Sequence, residues 1–371
     1  MRNNNVLGIV FASVNDDLLG ELTSRRSVAS VPFGGRYRLI DFSLSNLVNA
    51  GISKVGLITK SNYQSLMDHV GSAKSWGLDR KNGGLHILPP YGRATSGVYV
   101  GQADALYGIK HFLRRSSEQY AVICNSNIAL NIDIADMVEQ HIASGADITV
   151  AYRHGELPKN EGDIMSLSLE NGRINRVMMY TDNGGECDYS LGITVISRML
   201  LMALVDKAVA ANKTDFARDI IMPNVDKLRI NGYEHKGFAA VMDGMQGYVD
   251  ANMQLLAPGA RADLFNKERP IYTKVKDSMP TRYGIGAGIT NSLIADGCVI
   301  EGTVKNSILF RGVRVGKGAN VENCIIMQGT EVGSGADLKY LTIDKEVKVG
   351  NNRALCGSPS YYVYVNKGAE I

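Results

Sequence analysis

The sequence predicts two architectures in series: an α/β domain built on a mostly parallel mixed sheet, then a left-handed parallel β-helix. Two observations carry this. Through the first two thirds, short continuous apolar runs alternate with stretches of helical periodicity, as in βαβ units around a buried sheet. From Asn291 onward, four series of residues recur at a constant interval of 17.

The elements follow in order. Val6–Ala12 is a continuous apolar run, as a buried parallel strand should be. Ile40, Leu44, Leu47 and Val48 follow helical spacing, and Gly51 is placed to end that helix. Lys54–Thr59 reads as the next strand. Leu106, Ile109 and Leu113 mark a helix, Tyr120–Cys124 a strand, Ile134, Val138, His141 and Ile142 a helix, and Ile148–Ala151 a strand. In such sheets ligands sit beyond the carboxyl ends of the strands, here near Ser13, Asn62 and 125–127. After Leu256 the pattern changes, and 257–290, with prolines and no clear period, reads as a linker. Val315, Val332 and Val349 then keep the 17-residue interval, as do Gly316, Gly333 and Gly350; Val304, Val321 and Leu338; and Leu309, Ile326 and Ile343. Apolar marks every five or six residues give three flat faces per turn, with glycine at corners of positive φ. A β-sandwich would not hold four series to one interval. The expected domains are 1–256 and 291–371.

Composition bounds the function. A hydrophobic fraction of 45% and a charged fraction of 21% are those of a globular protein. No apolar run reaches the roughly 18 residues of a membrane span. A net charge of +3 gives no case for nucleic acid as partner. Five scattered cysteines fit neither a disulfide framework nor a metal site, so a cytoplasmic location is expected.

The run Val31–Phe42, continued by Leu44-Ser45-Asn46 and Asn49–Ile52, resembles the N-terminal region of bacterial glucose-1-phosphate adenylyltransferase (ADP-glucose pyrophosphorylase). The likeness continues through Tyr99, Gly101–Ala105, Ser190–Ile193, Asp215–Asp219, Tyr248–Met253 and Pro270–Thr273. It implies a Rossmann-like nucleotidyltransferase domain followed by a β-helix. It also implies a reaction in which ATP and glucose 1-phosphate give ADP-glucose and pyrophosphate. Charge builds on phosphate oxygens in that transfer, so catalysis is mainly positioning and neutralisation.

The positions that should supply this charge are changed. Where the family has a glycine-rich phosphate loop ending in arginine, this chain has Ser13–Leu19, with Leu18 at the arginine position and Asp16 and Asp17 facing where phosphate should lie. The phosphate-touching lysine is Val28. The two aspartates that hold Mg²⁺ fall at Asn127 and at about Val241, with Asp243 two residues away. The Glu-Lys pair that grips the sugar phosphate is Met179-Tyr180, while Tyr99 and Ser190 of that pocket are kept. Mg²⁺ requires hard anionic oxygens, so no metal and no catalytic residue is expected in this chain. It resembles the family's GlgD-type subunit, which implies a regulatory role in a hetero-tetramer whose catalytic partner uses Mg²⁺. The other reading is an active enzyme with relocated ligands, among them Asp16, Asp17 or Asp243. A β-helix acyltransferase is disfavoured, because no histidine occurs in 291–371.

Arg25, Arg26, Arg36 and Arg38 lie within 14 residues. The resemblance implies that Arg25, Arg26 and Arg38 bind a phosphorylated sugar effector, a task suited to the planar guanidinium fork. The alternative is a solvated basic loop making subunit contacts. Asp104 is placed to cap a helix or to bind ligand, Trp76 to serve as a lid or interface anchor, and Tyr361–Val365 as an interface strand.

Overall fold

The computed structural model describes residues 5–14, 16–90, 99–156, 164–179 and 185–371. Tyr180 lies outside them. A nine-stranded sheet runs in the order Gly84–Leu88, Lys54–Ile58, Val6–Phe11, Tyr120–Asn125, Glu186–Ser197, Ile148–Glu156, Ile230–Glu234, Arg173–Met179, Met165–Glu170. The first four strands are mutually parallel. Glu186–Ser197 runs antiparallel to both its neighbours, Tyr120–Asn125 and Ile148–Glu156. Val6–Phe11 is buried along its whole length, the reason its sequence shows no alternation.

The helix predicted around Ile40–Val48 spans Leu39–Asn49 and ends before Gly51, whose φ is 77°. The one around Ile134 spans Ile134–Ser144; Asp133 caps it by accepting from the Asp136 N–H at 3.0 Å, and Gly145 closes it in the left-handed region. The helix expected around Ile109 is two, Gln102–Gly108 and Lys110–Arg115. Gly101, not Asp104, is its N-cap: a Cβ there would lie 2.3 Å from the Thr214 carbonyl oxygen. Asp104 instead accepts from the Val100 N–H at 3.3 Å. Trp76 is neither lid nor anchor; it is buried and meets the His69 ring edge-on at 5.8 Å. No helix among the described residues is long and apolar enough to cross a membrane.

The C-terminal domain is a left-handed β-helix of three five-stranded parallel sheets. Val315, Val332 and Val349 line one face inside, Val304, Val321 and Leu338 the second, and Leu309, Ile326 and Ile343 the third, all buried. The domain starts earlier than its repeat suggests. The first coil comprises Arg282–Tyr283, Gly288–Thr290 and Leu293–Ile294, and its first two strands lie inside the stretch read as linker. The reason is a short turn: Gly288 pairs with Thr303 and Leu293 with Ile308, an offset of 15 that breaks the period. The rest of that stretch holds the helix Pro258–Leu264 and is pinned to the first domain, with Asn49 donating to the Pro270 carbonyl at 3.0 Å.

The repeat glycines also act differently from expectation. Left-handed φ falls at Gly312, Gly318, Gly329, Gly335 and several asparagines, not at Gly316, Gly333 or Gly350. Gly333 is required by stacking: a Cβ there would sit 2.6 Å from the Gly350 carbonyl carbon in the next coil. The C-terminal strand Val363–Val365 closes the third face against Leu341–Ile343; Tyr361 is exposed, but Tyr364 turns inward to Asp344. One hydrophobic core joins the domains, with Phe33, Phe42 and Tyr248 packed against Ile308, Phe310, Ile325 and Met327.

Candidate functional site

A cleft of about 280 Å³ opens at the carboxyl ends of the parallel strands, where the sheet order places it. Phe11 and Asn125 form its floor. Gly192 bends the wall: its φ of 65° sits where pairing with Ile148–Glu156 shifts register, and a Cβ there would meet the Asn125 amide nitrogen at 2.6 Å. A short antiparallel ladder, Ile128–Leu130 with Ala239–Val241, sets Val241 opposite Ile128, while the Asn127 carbonyl accepts from the Met242 N–H at 2.7 Å. Pairing thus brings Asn127 and Val241 together, and both line the cleft with Met179, Tyr99 and Ser190.

Leu18 and Val28 do not line it. Residues Asp16–Thr23 fold into short 3₁₀ turns whose Leu19 and Leu22 are buried, and Val28 is fully enclosed in the same core. The Asp16 carboxylate accepts from the Val28 backbone N–H at 3.0 Å, which ties one of its oxygens to the enclosed segment. Burial raises the Asp16 carboxyl above its ordinary range. Burial also pushes the Asp243 carboxyl up to about 6, and it packs over Gly247 at the start of the helix Met245–Gln254, outside the cleft lining. Asp17 is exposed. The family's Mg²⁺ does not fit the residues present: a neutral amide at Asn127 and an alkyl group at Val241 offer no carboxylate, Asp16 is engaged with the Val28 N–H, and Asp243 lies outside the cleft lining. Lys60, with its ammonium 5.6 Å from the Tyr99 ring centre, Gln102 and Asp215 also line the cleft. The sequence reading passed over Lys60, which follows the second strand as Ser13 follows the first.

A second pocket, about 200 Å³, lies in the seam between the domains. Arg36, Arg38, Lys274, Lys276, Arg311 and Lys345 line it, four of them from beyond residue 270. Arg38 donates to the Ser65 carbonyl and hydroxyl at 2.6 and 2.9 Å, and burial lowers its pKa to about 10. Arg311 pairs with Asp296 at 3.0 Å. Lys345 is lowered to about 7, mainly by burial and then by Arg38 and Arg26. Of the four arginines singled out from sequence, the seam unites Arg36 and Arg38. Arg25 is exposed and outside the lining, and Arg26 is buried in an ion pair with Asp344 at 2.5 Å. Lys274, Lys276, Arg311 and Lys345 were missed, because nothing in local pattern links them to Arg36.

Residues 16–176 match the nucleotidyl transferase family, and 279–358 match the GlmU-like C-terminal hexapeptide family. The chain is 38% identical to the glycogen biosynthesis protein GlgD of Bacillus subtilis (strain 168), over 99% of this chain and 97% of that protein. It is 39% identical to GlgD of Geobacillus stearothermophilus, over 86% and 83% of the two chains. Against the glucose-1-phosphate adenylyltransferase of Thermosipho melanesiensis the identity is 36%, over 85% and 77%. An α/β domain and a β-helix packed on a shared core, with similarity running nearly end to end, place this chain in the family of glucose-1-phosphate adenylyltransferases and their GlgD relatives.

Proposed function

We propose that this chain is a regulatory subunit of a glucose-1-phosphate adenylyltransferase in glycogen biosynthesis. It modulates a catalytic partner that makes ADP-glucose from ATP and glucose 1-phosphate. What supports this is the cleft at the carboxyl ends of the strands: Asn127, Val241 and Met179 line it, at the positions where the resemblance calls for charge. Removing one preorganised donor of this kind costs about 3–4 kcal/mol of transition-state stabilisation. Such losses do not sum, yet several together leave negligible turnover. The partner, with its Mg²⁺, supplies the chemistry in a hetero-tetramer, and the assembly is cytoplasmic.

The seam pocket supplies the means of regulation. Arg36, Arg38, Lys276 and Lys345 form no ion pair with a carboxylate among the described residues, and they converge where the two domains meet. A phosphorylated sugar or other anionic effector bound there would bridge the domains through charge-assisted hydrogen bonds. Coupling of that kind changes a partner's response by about 5–150-fold.

Co-expression with a catalytic subunit tests the proposal. The mixed complex should show a higher kcat or a lower activator requirement than the catalytic subunit alone; a mixed tetramer with unchanged kinetics overturns it. Clear ADP-glucose formation by this chain alone, given ATP, Mg²⁺ and glucose 1-phosphate, would favour an active enzyme with relocated ligands.

A further inference from the structure

One of the three β-helix faces is covered. The face that begins with Leu293–Ile294 packs on the first domain through Ile308 and Ile325. The face that begins with Arg282–Tyr283 is an open groove of about 1070 Å³, and no residue before Met279 lines it. Along that face the register stacks Arg282, Val299, Arg314, Glu331 and Lys348, and a bridge from Lys348 adds Glu370. Two residues further along each strand, on the same side of the pleat, a second row holds Gly284, Glu301, Gly316, Gly333 and Gly350. The charges of the first row are only loosely paired within the chain. Arg314 and Glu331 approach to 4.0 Å with side chains 68% and 56% exposed, so both can take a further partner.

The order of charges along the first row is its own complement. Turning a copy end for end, about a two-fold axis between Arg314 and Glu331, sets Arg314 against the copy's Glu331. The same rotation sets Val299 against the stem of Lys348 and Arg282 against Glu370, and each contact occurs twice. No like charges meet. In the second row Glu301, its one long side chain, falls opposite Gly350, and Gly316 falls opposite Gly333. The other exposed face fails the same operation. Its outer row is Thr290, Lys305, Glu322, Lys339 and Cys356, and a copy turned about its middle sets Lys305 on Lys339 and Glu322 on itself. Like charges set opposite each other across an interface cost several kcal/mol and exclude that pairing.

We infer that the Arg282–Glu370 face of the β-helix docks a second copy of this chain, face to face and with the two helix axes antiparallel. Coils about 4.8 Å apart make the contact strip about 24 Å long, well short of the about 800 Å² per partner of a standard interface, so the pairing is weak by itself. Its dissociation constant should be about 50 µM. The inference stands without the regulatory reading. In a mixed assembly it makes two copies of this chain neighbours.

Sedimentation velocity of the full chain tests this. The chain should self-associate at 50 mM salt, and the dissociation constant should rise at least about fivefold at 500 mM. Arg314→Glu and Glu331→Arg should each weaken association more than about tenfold, because either change sets two like-charge pairs across the axis; circular dichroism checks the fold. Mixing the two variants should restore it, since every contact at the axis of the mixed pair is again of opposite sign. A disulfide reads this face alone, whatever contacts exist elsewhere. With Cys356→Ser in both chains, Val299→Cys mixed with Lys348→Cys should cross-link under diamide, and Val299→Cys by itself should not. A monomeric parent, single variants that associate like the parent, a mixture that does not recover, or no cross-link in the mixture overturns the assignment.

Discussion

Removing the Asp344 carboxylate should loosen the seam between the domains more than removing its cationic partner. Asp344 is 2% exposed, and its Oδ2 accepts from Arg26 at 2.5 Å and from the Tyr364 hydroxyl at 2.7 Å. Its Oδ1 accepts from the Lys345 N–H at 2.7 Å. In Asp344→Ala the Arg26 guanidinium stays buried, with the Met327 sulfur at 4.0 Å as its remaining side-chain hydrogen-bond partner among the described residues, and Tyr364 loses its acceptor. A buried charge stripped of its partner costs about 3–5 kcal/mol. In Arg26→Ala the carboxylate keeps Tyr364 and the Lys345 N–H, so the cost should be about 1–3 kcal/mol. The apolar pair Arg26→Met with Asp344→Leu should recover to within about 1–2 kcal/mol of the parent, because neither charge then has to be desolvated. Equilibrium urea unfolding followed by circular dichroism measures all three. A loss under about 1 kcal/mol in Asp344→Ala, or a larger loss in Arg26→Ala, would show that this ion pair is not what joins Arg26 to the β-helix.

Other outcomes follow from the same coordinates. Lys345, lowered to about 7, is charged below that pH and neutral above it, so sulfate binding at the seam should weaken about tenfold between pH 6 and 8.5. Calorimetry reads this, and Lys345→Met should flatten the profile. In the unfolded chain that lysine keeps its proton up to about 10.5, so between about 7 and 10.5 its contribution makes stability rise with pH. Gly333→Ala should cost about 1–3 kcal/mol, since its Cβ would press on backbone of the next coil that cannot move aside. Gly318, with φ of 69° and open space around it, should lose about 1 kcal/mol as alanine and less as asparagine, which tolerates that φ; thermal unfolding compares the three. A thiol reagent should label exposed Cys356 quickly and the buried Cys124, Cys298 and Cys324 only on unfolding; fast labelling of these three in the native chain would contradict the packing.

The sequence by itself determined what short-range pattern can hold. Continuous apolar runs marked the strands, because a strand covered on both faces needs no alternation, and the 17-residue series marked the inner faces of the coils. Asn127, Val241 and Met179, singled out one by one along the sequence, line one cleft in the structure. The tertiary structure alone decided the rest. It found the first coil despite its 15-residue offset, placed the Asp16 carboxylate on the Val28 N–H, and drew Arg36 and Arg38 together with four cations from beyond residue 270. It also buried Arg26 against Asp344, 318 residues away, where sequence proximity had grouped it with the exposed Arg25 and Arg36. Periodicity constrains which face of an element is buried. It does not constrain which distant side chain meets it there, because that follows from packing the two domains onto one shared core.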